Sequence, residues 1–353
     1  MSLPQTLQAD LTDHLLKRKI MKQSKQLQLD RNICEYIRGI AIVFVVLGHI
    51  LGGQFHLISA HATSLLGMGG VTMFLLLSGY GLFQSYESSG IQFQSYWEKK
   101  LQKVFLPYGI ITVIFYIYLQ LCGNEPGLPT LLLNVLCMDY TRAIDGTMWY
   151  LSFLLLWYAV FFCVFYFNGP MIVKIGMLFL VGGAFSNYIF KNFFQQCAWQ
   201  FSTNAFAFPC GVGLGYLLDL MNQSRISDKW RARLRLFLRI VILSGSLAVL
   251  VLGLLQIVQV AYWKYGMAMF VTLYYLLSLP KKEIKVLKWL GASSFIIYLI
   301  EGKLIFVWGR YEFLQENPAV YILSYAVATM AVVYMYRFGS SCYRRLACQS
   351  KKN

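Results

Sequence analysis

The chain has 353 residues, of which 58% are hydrophobic and 13% charged, and its mean hydropathy is positive. That charged fraction is about half the roughly 25% of a soluble domain, which excludes a water-soluble globule exposing so much apolar surface. A net charge of +16 would suit nucleic acid, but the basic residues cluster in short gaps between apolar runs, so no nucleic-acid partner is expected.

Taken in chain order, the first 32 residues are polar and basic, with Leu7, Leu11, Leu15 and Leu16 at helical spacing. They read either as a short amphipathic helix on an anionic leaflet or as a solvated tail. No apolar run precedes Arg31, so no cleavable signal peptide is expected. A spanning helix needs about 20 mostly apolar residues. Such runs fall at approximately 33–52, 65–83, 104–122, 148–168, 171–190, 203–221, 236–257, 259–279, 291–308 and 319–338. The expectation is an all-α bundle with about ten transmembrane spans, filling residues 33–340 as one domain, with a basic tail at 341–353.

Charge gives an independent check, because Lys and Arg favour cytoplasmic loops. Basic residues precede the first span (Lys17 to Arg31), the third (Lys99, Lys100, Lys103), the seventh (Arg225 to Arg235) and the ninth (Lys281 to Lys288), and fill the tail. The intervening loops are poor in them, and the turn at Asn168-Gly169-Pro170, followed only by Lys174, is the weak point of the alternation. An even number of spans with both termini in the cytoplasm, in the cell membrane, fits best. Eight cysteines are scattered without paired metal spacing and are assigned to packing. Cys122, Cys137 and Cys197 fall on outer segments and leave a disulfide open.

Ionisable residues inside a bilayer are costly and mark function by default. In the first span Arg38 and His49 are eleven residues apart, which is three turns and about 16 Å along one helix face. Glu35, three residues before Arg38, can pair with it. Singly, Glu35 and Arg38 read equally as an interfacial anchor, and His49 as a satisfied polar residue. Together on one face they suggest a polar path within the bundle. His56 and His61 follow, but the spacing is loose and no carboxylate accompanies them, so no metal site is expected.

The segment from Glu35 through Arg38 to His49 resembles the first helix of the acyltransferase-3 family, polytopic membrane O-acyltransferases, mostly bacterial. That family usually has Asp where Glu35 stands. Gly70 through Ser78-Gly79-Tyr80 resembles its second helix. Tyr96-Trp97 through Lys100, Lys103 and Pro107-Tyr108 resembles the basic segment leading into the third, where the family prefers Arg. Trp149-Tyr150-Leu151, Phe206 to Gly211 and Leu290 to Leu299 match later segments in order. The family often has His shortly after the last of these, where this chain has Glu301.

The resemblance implies transfer of an acyl group, by default acetyl, from cytoplasmic acyl-CoA to a hydroxyl of a surface carbohydrate or lipid-linked sugar, with no permanently bound cofactor. On that reading Arg38, Lys100 and Lys103 hold the donor, and His49 acts as general base. Ser78 either donates to the oxyanion or merely permits close packing. Asp139, Arg142, Asp145, Trp149 and Tyr150 form an outer segment suited to a sugar, or simply an ordered loop. The rival reading is a secondary transporter, disfavoured by the lack of an internal repeat and by intramembrane charge concentrated in one helix.

Overall fold

The computed structural model describes residues 28–123, 126–142, 144–223, 228–256, 261–280 and 282–350, and these contain helices and no strand. The leucines near the start (Leu7 to Leu16) lie outside the described residues, as do Arg225 and Lys281. We label the helices α1 Arg31–Gln54, α2 Ala60–Ser89, α3 Phe93–Leu121, α4 Leu128–Val135, α5 Trp149–Tyr166, α6 Met171–Ser186, α7 Lys191–Thr203, α8 Ala207–Gln223, α9 Asp228–Leu254, α10 Tyr262–Leu277, α11 Lys285–Trp308, α12 Glu312–Glu316 and α13 Pro318–Ser350.

Local chemistry accounts for the ends that matter. Asp30 caps α1, its side chain accepting from the Asn32 and Ile33 amides at 2.8 and 3.0 Å, which satisfies two of the orphan donors of a first turn. Gly90, at φ 66°, stops α2 in the left-handed conformation that glycine adopts without strain. In α3 a wide π-helical stretch, Leu101–Phe105, leads into Pro107. Proline has no N–H to return to the preceding turn, so the helix is re-registered there rather than broken.

Among the described residues, six helices are long and apolar enough to cross a membrane: α1, α2, α3, α5, α11 and the Pro318–Ser341 part of α13. The α6–α7 pair, bent by 72°, makes up to seven if taken as one span. The expected count of about ten is not met by these criteria. Three of the expected spans fall on α8, α9 and α10; α8 and α10 have 17 and 16 residues, and within the described residues α9 contributes the apolar stretch Ile240–Leu254.

Helix directions nevertheless alternate in the expected way. Gly48 faces Thr63 and Gly67, whereas Gly70 faces Ala41, so α1 and α2 are antiparallel. Phe74 meets Tyr150 and Tyr86 meets Phe165, which makes α5 parallel to α2. Thr72 lies against Gly266, while the Leu29 and Asp30 amides donate to the Tyr80 and Tyr274 hydroxyls, so α10 is also parallel to α2. The apolar positions Ile110, Ile114, Ile117 and Leu121 of α3 are exposed at helical spacing, as a lipid-facing stripe requires.

Close packing depends on small residues, as in membrane bundles generally. A Cβ on Gly39 would lie 2.5 Å from the Leu287 carbonyl oxygen, and one on Gly291 would overlap the Glu35 carbonyl. Gly291→Val should therefore destabilise the detergent-solubilised protein by about 3 kcal/mol or more, at the upper end of overpacking costs because backbone cannot swing aside. Gly176→Ala, with nothing within 4 Å of the added carbon, should leave the melting temperature unchanged or slightly raised. Equal melting of Gly291→Val and wild type would remove this contact as a determinant of the fold.

Candidate functional site

The contact of Gly39 with Gly291 lets α1 and α11 run side by side in the same direction. Ten residues beyond Gly39 and ten beyond Gly291, the register places His49 against Glu301. His49 Nδ1 lies 2.9 and 3.0 Å from the two Glu301 carboxylate oxygens. Glu301 is fully buried, while the His49 side chain retains 35% exposure. A carboxylate only accepts, so Nδ1 carries the proton it donates and Nε2 is left with its lone pair. His49 also sits in a π-helical stretch, Gly48–Gln54. Such wide turns recur at functional sites, and this one displaces the ring from a regular helical position.

His49 opens on a cavity of about 560 Å³ lined by Gln54, Phe115, Asp145, Thr147, Phe306 and Arg310, among others. The Asp145 carboxylate accepts from Lys303 Nζ at 2.7 Å and from the Thr147 amide and hydroxyl at 2.8 and 2.7 Å. Burial disfavours its charge, but Lys303 and the Thr147 donors outweigh burial and hold the carboxyl below its usual range. Tyr298 Oη donates to the Thr147 carbonyl at 2.6 Å. Gly302, between Glu301 and Lys303, leaves the space that Asp145 and Thr147 occupy. The segment before α5 is thus clamped onto α11 by an ion pair and a tyrosine.

A second polar group lies toward the start of α1. Arg38 Nη1 is 3.4 Å from Glu35 Oε1. Ser78 interacts with the hydroxyls of Tyr150 and Tyr158, and Arg38 is within electrostatic reach of both rings. Lys100 Nζ sits 4.0 Å above the Tyr158 ring, a cation–π arrangement. Between the two groups, Tyr150 packs edge-on to Tyr298 with centroids 5.2 Å apart.

The residues singled out from sequence separate accordingly. His49 and Asp145 share the cavity; Glu35, Arg38, Ser78 and Lys100 gather at the other end; Lys103 is exposed nearby. Ser78 lies fifteen residues beyond Thr63, which faces Gly48. By helical rise that is about 22 Å from the level of His49, so Ser78 is no oxyanion donor beside that ring. Asp139 holds its own turn through Asn134 and the Thr141 amide. Arg142 donates to the Gly146 carbonyl at 2.9 Å, steadying the cavity wall from behind. Trp149 and Tyr150 are buried, at 7% and 6% exposure, and neither presents a ring to an outer sugar. Cys122, Cys137 and Cys197 are free thiols.

Glu301 and Lys303 were visible in the apolar run 291–308 as two ionisable residues flanking a glycine, and the bilayer cost of charge is the signal that points to them. They also correct the expectation that intramembrane charge is concentrated in one helix. Removing one partner of the Lys303–Asp145 pair leaves an uncompensated buried charge. Lys303→Met should cost about 3–5 kcal/mol of stability, read by thermal unfolding in detergent, and adding Asp145→Leu should restore most of it. Additive losses in the double variant would show that the two side chains do not depend on each other.

Residues 32–337 match the acyltransferase-3 family, described as an acyltransferase domain. No curated protein and no solved structure matches the chain. The match covers most of the sequence and agrees with the apolar helices and with the resemblance carried by Arg38 and His49. The chain is therefore a multi-pass membrane protein, with a lipid bilayer as its surroundings and an acyl donor and acceptor as its substrates, and it belongs to the acyltransferase-3 family.

Proposed function

We propose that the protein moves an acyl group, acetyl in the first instance, from cytoplasmic acyl-CoA to a hydroxyl of a carbohydrate or glycolipid on the outer face of the cell membrane. The observation that carries this reading is the His49–Glu301 pair at the wall of an open cavity. A ring held at Nδ1 by a buried carboxylate presents a basic Nε2, the arrangement suited to taking a hydroxyl proton.

The acceptor hydroxyl gives its proton to Nε2 as its oxygen bonds to the thioester carbonyl carbon. The tetrahedral oxyanion then collapses, the carbon–sulfur bond breaks, and the leaving thiolate receives the proton from the imidazolium. Glu301 fixes the ring's tautomer and stabilises the imidazolium, a positioning role.

Arg38, Lys100 and Lys103 form the donor end in this reading, with phosphates held by point charges at the lysines and a fork at Arg38. The long thin arm of the donor then reaches toward His49 along the face that Arg38 and His49 share. A ten-pass arrangement with both termini in the cytoplasm is part of the proposal. The alternating directions of α1, α2, α5, α10 and α11 support it, as does the alternation of basic loops.

The test is acyl transfer in membrane vesicles from radiolabelled acetyl-CoA at matched expression. His49→Ala should lower turnover by about 10²–10⁴-fold, the usual worth of a positioned general base. Glu301→Gln should lower kcat while leaving KM for the donor near the wild-type value. Arg38→Ala should instead raise that KM, with much of the rate recovered at saturating acetyl-CoA. Undiminished transfer by His49→Ala would remove it as the base.

A further inference from the structure

We infer that the acceptor carries an anionic group, a carboxylate or a phosphate, and that Arg310 is the residue that selects it; the inference rests on the acyl-transfer reading above. The cavity beside His49 has an uneven charge inventory. Asp145 is engaged by Lys303 and by both Thr147 donors, so it offers no free carboxylate to a cation. Glu301 is engaged by His49. Arg310 is the charge left over: among the described residues no carboxylate lies within ion-pair distance of it.

Its placement is the second part of the argument. Arg310 follows the end of α11 and is exposed at the rim. A cation that merely anchored the helix would extend away into water or headgroups. The Arg310 guanidinium instead turns back and lies 5.2 Å from the centroid of Phe306, a residue of the cavity wall. It also interacts with the Tyr118 hydroxyl and with Cys122. The Phe306 ring on one side and the Tyr118 and Cys122 groups beside it keep the guanidinium at the cavity, and its five N–H donors exceed what those neighbours can take up. A planar guanidinium fork is the group that binds carboxylate and phosphate in two-point fashion. Phe115 and Phe306, 5.7 Å apart and edge-to-face, supply apolar surface for a sugar ring between that fork and His49.

The inference is tested by calorimetric binding to the full-length protein in nanodiscs, with methyl glucoside, methyl glucuronoside and glucose 1-phosphate as probes. Wild type should bind the charged sugars at least tenfold more tightly than the neutral one, and the stronger of the two identifies carboxylate or phosphate as the preferred group. Arg310→Gln should erase the difference. Arg310→Lys should keep part of it, since an ammonium supplies charge without the fork. Retained acetyl-CoA binding by both variants checks that they are folded. Equal affinity for all three sugars, no binding of any, or an undiminished preference in Arg310→Gln would overturn the assignment. Acetylation of the same probes, run with His49→Ala beside wild type, separates the two readings. Charge-selective binding without His49-dependent transfer would sink the catalytic reading alone. Transfer without charge preference would sink the role of Arg310 alone.

Discussion

The backbone contact between α1 and α11 sets the geometry on which the rest of the site depends. Gly39 and Gly291 remove the two side chains that would hold these helices apart, and the carbonyls of Leu287 and Glu35 come into the space vacated. Two rods in such contact have little freedom to slide. A slip of one residue moves a side chain about 1.5 Å along the axis and turns it about 100°. The pairing of His49 with Glu301, ten residues further on, would not survive that slip. The glycines, which carry no chemistry, thus fix which carboxylate meets the imidazole.

A bundle in lipid must satisfy its polar groups internally, and the site residues do so in two clusters. One is built on His49, Glu301, Asp145, Lys303 and Thr147. The other is built on Glu35, Arg38, Ser78, Tyr158 and Lys100. Each ionisable group of the first cluster has a named partner, so the cost of burial falls on pairs rather than on single charges. Charge is also distributed among α1, α11 and the segment before α5, and three elements must assemble before any one of these groups is compensated. Folding and the construction of the site are then one event.

The helical nature of the chain and the placing of Arg38 and His49 on one helix were legible in the sequence, because hydropathy and the 3.6-residue period act within one segment. What links segments was not. Nothing in the run around Ser78 says at which depth it passes His49; that depends on how Thr63 and Gly67 seat against Gly48. Glu301 stood as a departure from the family pattern, since only the parallel register of α11 brings it to the ring. Trp149 and Tyr150, at the entry of the span expected over 148–168, follow polar Asp139, Arg142 and Asp145 and so suited a sugar at the mouth of that helix, yet the first turn of α5 is already inside the core. The span count has the same origin. α8 and α10 are short but run side by side with α2, so packing rather than length keeps them in the bundle.

The edge-on pairing of Tyr150 with Tyr298 has an electrical consequence. If, as proposed, the substrates meet from opposite sides of an energised membrane, the site is a potential short circuit. Each elementary charge that crosses dissipates about 2.3 kcal/mol per 100 mV. The Tyr150 and Tyr298 rings, packed between the two polar clusters, place apolar surface on the path that protons would follow from one to the other. The arm of the proposed acyl-CoA donor is uncharged along its length, so on that reading it would displace such rings without bringing ions with it. On the proposed reading, selectivity for a thin neutral arm and tightness against leakage would be the same property of one pair of side chains.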